Sequence, residues 1–160
     1  MQYASIFKML GLITSVLAIF LLIPTVYAFI LGTDDFHGFL YTLIIASVTG
    51  GLLAMIPKSK HSLKYRDSYA LVTFGWLSAG LIGCLPYFFS NAIPGFTDAY
   101  FESISGFTTT GSSVLTKIEA LHPATLFWRS LTQWLGGMGI IVFALAIIPY
   151  LNIGGMGIFQ

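Results

Sequence analysis

The sequence predicts an all-α integral membrane protein, with two leading transmembrane helices followed by one helix–re-entrant loop–helix unit. Three observations carry this. Hydrophobic residues make up 56% of the chain and charged residues only 8%, against about 25% charged in soluble domains. So few charges cannot cover a soluble surface, and the mean hydropathy of +0.87 agrees. Long apolar runs recur, each near the ~20 residues that a helix needs to cross a ~30 Å hydrocarbon core. Between the third run and the last lies a polar string, TDAYFESISGFTTTGSS (Thr97–Ser113), too polar to join either neighbour.

The first span is predicted at Met9–Leu31, with Lys8 before it and Asp34-Asp35 after it. A secretory signal competes, because Val26-Tyr27-Ala28 resembles a cleavage site. The apolar core is longer than the usual h-region, however, and everything downstream is also membrane-like. Pro24 is expected to kink the helix or to be absorbed by its neighbours. The second span is Phe39–Ile56. The loop after it holds Lys58, Lys60, Lys64 and Arg66, most of the positive charge. By the positive-inside rule that loop is cytoplasmic, which puts Lys8 and the N-terminus inside and both flanking loops outside. A basic loop between two spans is a topology signal rather than a nucleic-acid patch, and a net charge of +1 offers nucleic acid nothing more.

The third span runs from Tyr69 to Phe89 and is expected to end at Pro86 and the aromatic cluster Tyr87-Phe88-Phe89. Gly75, Ala79 and Gly83 recur every four residues, a small-residue face that lets another helix approach closely. Cys84 is alone in that run, so the chain can form no internal disulfide; it reads as a small buried hydrophobe. Residues 1–67 thus form a two-helix leading segment, and 68–160 the helix–loop–helix unit.

Within the polar string, Thr97–Gly106 carries the marks of a short helix. Thr97 can cap it, Asp98 suits the positive end of the dipole, and Gly106 is a natural stop. Ten residues at ~1.5 Å rise cover roughly 15 Å, enough to enter a membrane but not to cross it. Thr108-Thr109-Thr110-Gly111 should then leave the helix as extended backbone, with φ > 0 at the glycine. Extended backbone at membrane depth is tolerated only when buried in protein or lining water. A half-helix in and a strand out is the geometry of a pore loop. Its carbonyls replace the hydration shell of a cation, and the helix C-terminus points partial negative charge at the ion. Thr109 and Thr110 are the best carbonyl ligands, being in mid-strand before Gly111.

The last span is predicted over Ala124–Tyr150, with Trp128 and Trp134 in its outer part and Tyr150 at the inner interface. Gly136-Gly137-Met138-Gly139 marks a hinge or, preferably, a close-packing site against the filter strand. Two charges in the apolar regions demand partners. Glu102 lies about five residues into the short helix, near 7 Å down, and Arg129 at a matching depth in the last span. They are expected to pair, with Glu102 an anchor rather than a cation ligand. His37, His61 and His122 sit in three separate loops with no metal-ligand spacing. No nucleophile elbow or phosphate-cradling loop supports an enzyme, and no cofactor is called for.

The string FTDAYFESISGFTTTGSSVL, followed by LFWRSLTQWLGGMGIIV and NIGGMGIF, resembles the Trk/Ktr potassium transporter family, of the TrkH type. The likeness is specific over 94–160 and looser over 1–93. In that family four helix–pore loop–helix repeats surround one potassium-channel-like pore. The resemblance implies that Thr108, Thr109, Thr110 and Gly111 form the first of four filter strands, with potassium, the transported substrate, at Thr109 and Thr110. It further implies a bacterial inner-membrane location, a homodimer of the full-length protein and a cytoplasmic nucleotide-binding regulatory subunit. The filter lacks the second glycine and the tyrosine of the TVGYG type, so it speaks more firmly for a monovalent cation than for potassium over sodium. Only one copy of the pore loop is present, so the chain is either the front of a longer protein or one of four assembling copies. A non-transporting packing subunit is the third reading.

Overall fold

The computed structural model of the chain describes residues 3–57 and 65–151. The basic loop at 58–64, with His61, and the Tyr150 side chain lie outside the described residues. The described residues form five α-helices: α1 (Tyr3–Leu31), α2 (Phe36–Ala54), α3 (Tyr65–Phe89), α4 (Phe96–Phe107) and α5 (Pro123–Leu151). A 3₁₀ turn at Ile118–Ala120 precedes α5. Tyr3–Leu31, Phe36–Ala54 and Tyr69–Phe89 are each long and apolar enough to cross a membrane. At 12 residues, about 18 Å by rise, α4 is not.

The starts of the first three helices differ from expectation. The first helix starts at Tyr3, taking Lys8 into its body; a lysine near a helix end is tolerated because its long stem carries the ammonium toward the interface. Likewise, α2 is shifted toward the N-terminus and starts at Phe36. The third helix starts at Tyr65, four residues early, and ends at Phe89 as expected, with Pro86 inside its last turn. Pro86 is fully buried and its carbonyl accepts from Ser90 N at 3.0 Å, closing the last turn. Pro24 is also buried inside an unbroken α1. Neighbouring helices cover both ring positions, as membrane prolines require.

Helix packing here depends on close approach, since lipid is as apolar as leucine. The first two helices cross as an antiparallel pair so tightly that a Cβ on Gly11 would lie 2.5 Å from Ala54 N. One on Gly50 would lie 2.8 Å from Ser15 N. At the other end of the bundle a Cβ on Gly38 would lie 2.6 Å from Ser90 N. The C-terminal ends of α1 and α3 therefore gather with the N-terminal ends of α2 and α5, opposite the C-terminal end of α2. The core between them includes Leu21, Phe39, Tyr87 and Trp128. Two buried threonine hydroxyls are satisfied within their own helix: Thr25 Oγ1 donates to Leu21 O at 2.6 Å and Thr42 Oγ1 to Gly38 O at 2.8 Å.

Candidate functional site

The short helix α4 begins one residue before the expected start. Its N-cap is Gly95, in an extended conformation (φ −78°, ψ 120°), and Ala99 N donates to Gly95 O at 2.9 Å. Thr97 lies in the first turn and makes no capping bond; the glycine ahead of it already supplies the extended backbone a cap needs. Ala99, Glu102, Ser103, Gly106 and Phe107 form the buried face. That face lies on α3, where Gly83 would carry a Cβ 2.5 Å from the Phe107 ring and 2.6 Å from Ser103 Oγ. Trp128 of α5 closes the same junction. It is fully buried and donates Nε1–H to Gly83 O at 3.0 Å. Trp128 keeps its expected place in the outer part of the last helix, but its indole N–H has found a carbonyl inside the bundle, leaving Trp134 as the exposed ring of the two.

The helix ends differently from the sequence expectation, and the difference bears on the site. Gly106 is not the stop. It is buried inside α4, where a Cβ would lie 2.5 Å from Thr132 Oγ1 of α5. Packing claims the glycine, so a threonine must take the left-handed position. Thr108 caps the helix with φ −83° and ψ 0°, and Thr109 follows with φ +57°. Thr109 N donates to Gly106 O at 2.9 Å and Thr110 N to Ser105 O at 3.0 Å. These two bonds are the Schellman pattern, with Thr109 where glycine usually stands. A β-branched residue at positive φ costs on the order of 1–3 kcal/mol and clusters at functional sites. Thr108 and Thr109 are therefore a tight turn rather than extended backbone, because the helix end still holds their N–H groups.

Gly111 has φ +76°, the positive value expected, with nothing within 4 Å of where a Cβ would stand. The N–H groups of Thr108, Thr109 and Thr110 all point back to the end of α4. Among the described residues, no hydrogen bond ends on the carbonyls of Thr108 to Gly111. The Thr108 and Thr110 hydroxyls meet at 2.9 Å, and Thr108 Oγ1 also donates to Ile104 O at 2.8 Å. These residues border an open groove of about 380 Å³ together with Tyr100 and Ile104.

Beyond Gly111 the chain turns back along α4. Ser105 Oγ donates to Ser112 O at 2.5 Å, and one turn up the helix Glu102 holds the next two residues. Its Oε2 accepts from Ser113 Oγ at 2.9 Å and from Val114 N at 3.1 Å. Its Oε1 accepts from Arg129 Nε at 2.7 Å. The structure thus brings Glu102 and Arg129 together and uses the carboxylate as a clamp across α4, the returning segment and α5. Ser113 was not singled out from sequence; nothing in a serine following a threonine-rich run marks it as an anchor.

Deeper along α5, Gly136 backs on the end of α4. A Cβ there would overlap the Phe107 carbonyl and crowd its Cα, and one on Gly137 would lie 3.9 Å from the Thr109 methyl. Gly136 is about 20 Å into α5 by rise and Arg129 about 9 Å, so α4 descends beside α5 and ends at mid-depth. Of the two sequence readings of this glycine run, the contacts describe packing, chiefly against the helix end. Gly136→Ala is expected to destabilise the full-length protein strongly, because rigid backbone on both sides leaves the methyl nowhere to go. A melting temperature in detergent equal to wild type would contradict that. Among the described residues no group of three His, Cys, Asp or Glu could hold a metal ion.

Comparison with known proteins places these residues in context. Residues 34–160 match the protein-family model described as TrkH, cation transport protein. The Trk system potassium uptake protein TrkH of Escherichia coli strain K12 is 38% identical over 100% of this chain, which covers 34% of that protein. That of Halomonas elongata is 36% identical, again with 100% and 34% covered. The crystal structure of the potassium transporter TrkH from Vibrio parahaemolyticus superimposes with a TM-score of 0.88 at 38% identity, over 99% of this chain and 34% of that one. The chain thus spans about one third of the length of the relatives it matches.

Proposed function

The chain belongs to the TrkH family of cation transport proteins, and on that premise we propose that it supplies one quarter of the ion filter of a potassium uptake protein. The observation that carries the proposal is the Thr108–Gly111 turn. It lies at the C-terminal end of a half-length helix, the N–H groups of Thr108, Thr109 and Thr110 are held inward, and among the described residues no hydrogen bond ends on its carbonyls. Alternating hand along the backbone turns N–H groups to one side and frees the carbonyls on the other. Such carbonyls, backed by the negative end of the α4 dipole, can replace the water shell of a monovalent cation. Thr109 and Thr110 supply the central oxygens, and Gly111 permits the turn outward. Glu102 and Arg129 brace the loop without touching the ion, since both Glu102 oxygens are already engaged.

Four strands are needed to encircle an ion. A chain that spans a third of its relatives favours the remaining strands coming from further along a longer protein. The homodimer of that protein, its cytoplasmic nucleotide-binding regulatory subunit and its place in a bacterial inner membrane with the N-terminus inside are part of the proposal, supported by family likeness and the basic loop. In cells lacking other potassium uptake, the full-length protein is expected to restore rubidium uptake and growth at low potassium. Normal membrane levels without uptake would reject the proposal. Orientation has its own test. Cysteines at the exposed Asp34 and Lys117 should react with an impermeant thiol reagent in intact cells, and one at Ser62 only in opened cells. The native Cys84 is buried and adds little background.

A further inference from the structure

Asp35 is fully buried, although it follows a membrane span and stands beside the exposed Asp34. Its Oδ1 accepts from Thr33 Oγ1 at 2.5 Å and its Oδ2 from Thr125 Oγ1 at 2.8 Å. Among the described residues its carboxylate is met by the Thr33 and Thr125 hydroxyls rather than by a cation. It occupies the N-cap position of α2, and Thr125 lies in the first turn of α5. The carboxylate makes no capping hydrogen bond to α2 itself and instead meets the first turn of α5, the positive end of that helix dipole. Thr125 is itself fully buried, and it precedes Arg129 by four residues, one helical turn, on the same face of α5. We propose that Asp35 is a positioning residue for the ion filter. It fixes the height and rotation of the first turns of α5, so that Arg129 meets Glu102 and Glu102 holds Ser113 and Val114. The leading α1–α2 pair then helps to set selectivity as well as packing against the pore unit.

This inference rests on the filter assignment above, so its test carries a control for that assignment. Rubidium and sodium uptake are measured for the full-length protein in cells without other potassium uptake, with membrane levels checked by immunoblot. Thr125→Val, close in shape but lacking the hydroxyl, is expected to lower the rubidium-to-sodium ratio about threefold or more. Thr125→Ser, which keeps the donor, should hold the wild-type ratio. Asp35→Ala should lower the ratio likewise, and the double change Asp35→Ala with Thr125→Val should be no worse than the more affected single variant. Should Asp35→Ala fail to reach the membrane, Thr125→Val against Thr125→Ser decides alone. A lowered ratio in Gly111→Ser with an unaltered one in Thr125→Val would overturn the role of Asp35 and leave the filter standing. An unaltered ratio in Gly111→Ser would instead overturn the filter itself.

Discussion

Gly111→Asp is expected to abolish potassium uptake by the full-length protein, and Gly111→Ser to keep expression while weakening its preference for potassium over sodium. The geometry separates two causes that a mutation usually mixes. Chain neighbours aside, no atom of the described residues lies within 4 Å of a Cβ built on Gly111, so the first side-chain atom meets open space. What changes is the backbone: at φ +76° a side chain costs roughly 1–2 kcal/mol. Relaxing that strain would rotate the peptide plane between Thr110 and Gly111 and take the Thr110 carbonyl off the proposed ion path. Serine adds this strain and a small hydroxyl at the mouth. Aspartate adds a full negative charge beside bare carbonyls, which would trap a cation instead of releasing it. Thr110→Ser should be far milder, because its backbone carbonyl is kept. Rubidium and sodium fluxes in cells lacking other potassium uptake give the measurement. An unchanged ratio in Gly111→Ser at normal membrane level would place the filter elsewhere.

The helices were legible because apolar run length and the placement of charge report directly on a membrane core. Their ends were less so. A glycine after a short helix is ordinarily its stop, but Gly106 is claimed by the approach of Thr132 across α5, and Thr109 carries the left-handed turn instead. No local propensity reveals that, since threonine is a poor choice for positive φ on its own. Glu102 and Arg129 stood out because a charge in an apolar run is costly, and equal depth along two helices follows from rise alone. Asp35 did not. An acid just past a span looks like part of a wet loop, and its partner Thr125 lies 90 residues away. Trp128 likewise looked interfacial until the Gly83 carbonyl supplied its buried partner.

The second large effect is expected at the Glu102–Arg129 bridge. The Glu102 side chain is 1% exposed and Arg129 18%, so removing either partner strands a charge in a poorly solvated place. Breaking buried pairs costs on the order of 3–5 kcal/mol, with the partly exposed arginine favouring the lower end here. Arg129→Gln leaves the carboxylate with only Ser113 and Val114 as donors. Glu102→Gln keeps an acceptor for those two but turns an amide N–H₂ toward the guanidinium, donor against donor. Each variant should lower both the melting temperature in detergent and rubidium uptake, and the double variant should fall well short of their sum. Arg129→Lys should lie between wild type and Arg129→Gln, because an ammonium keeps the charge but not the fixed guanidinium geometry. Exchanging the two residues should not rescue uptake. The charge pair would be restored, yet an arginine at 102 has no oxygen to accept from Ser113 Oγ and Val114 N, and the returning segment would stay loose. Strict additivity in the double-mutant cycle would show that the two side chains act independently. Full rescue by the exchange would show that the bridge, and not the hold on the loop, is what Glu102 contributes.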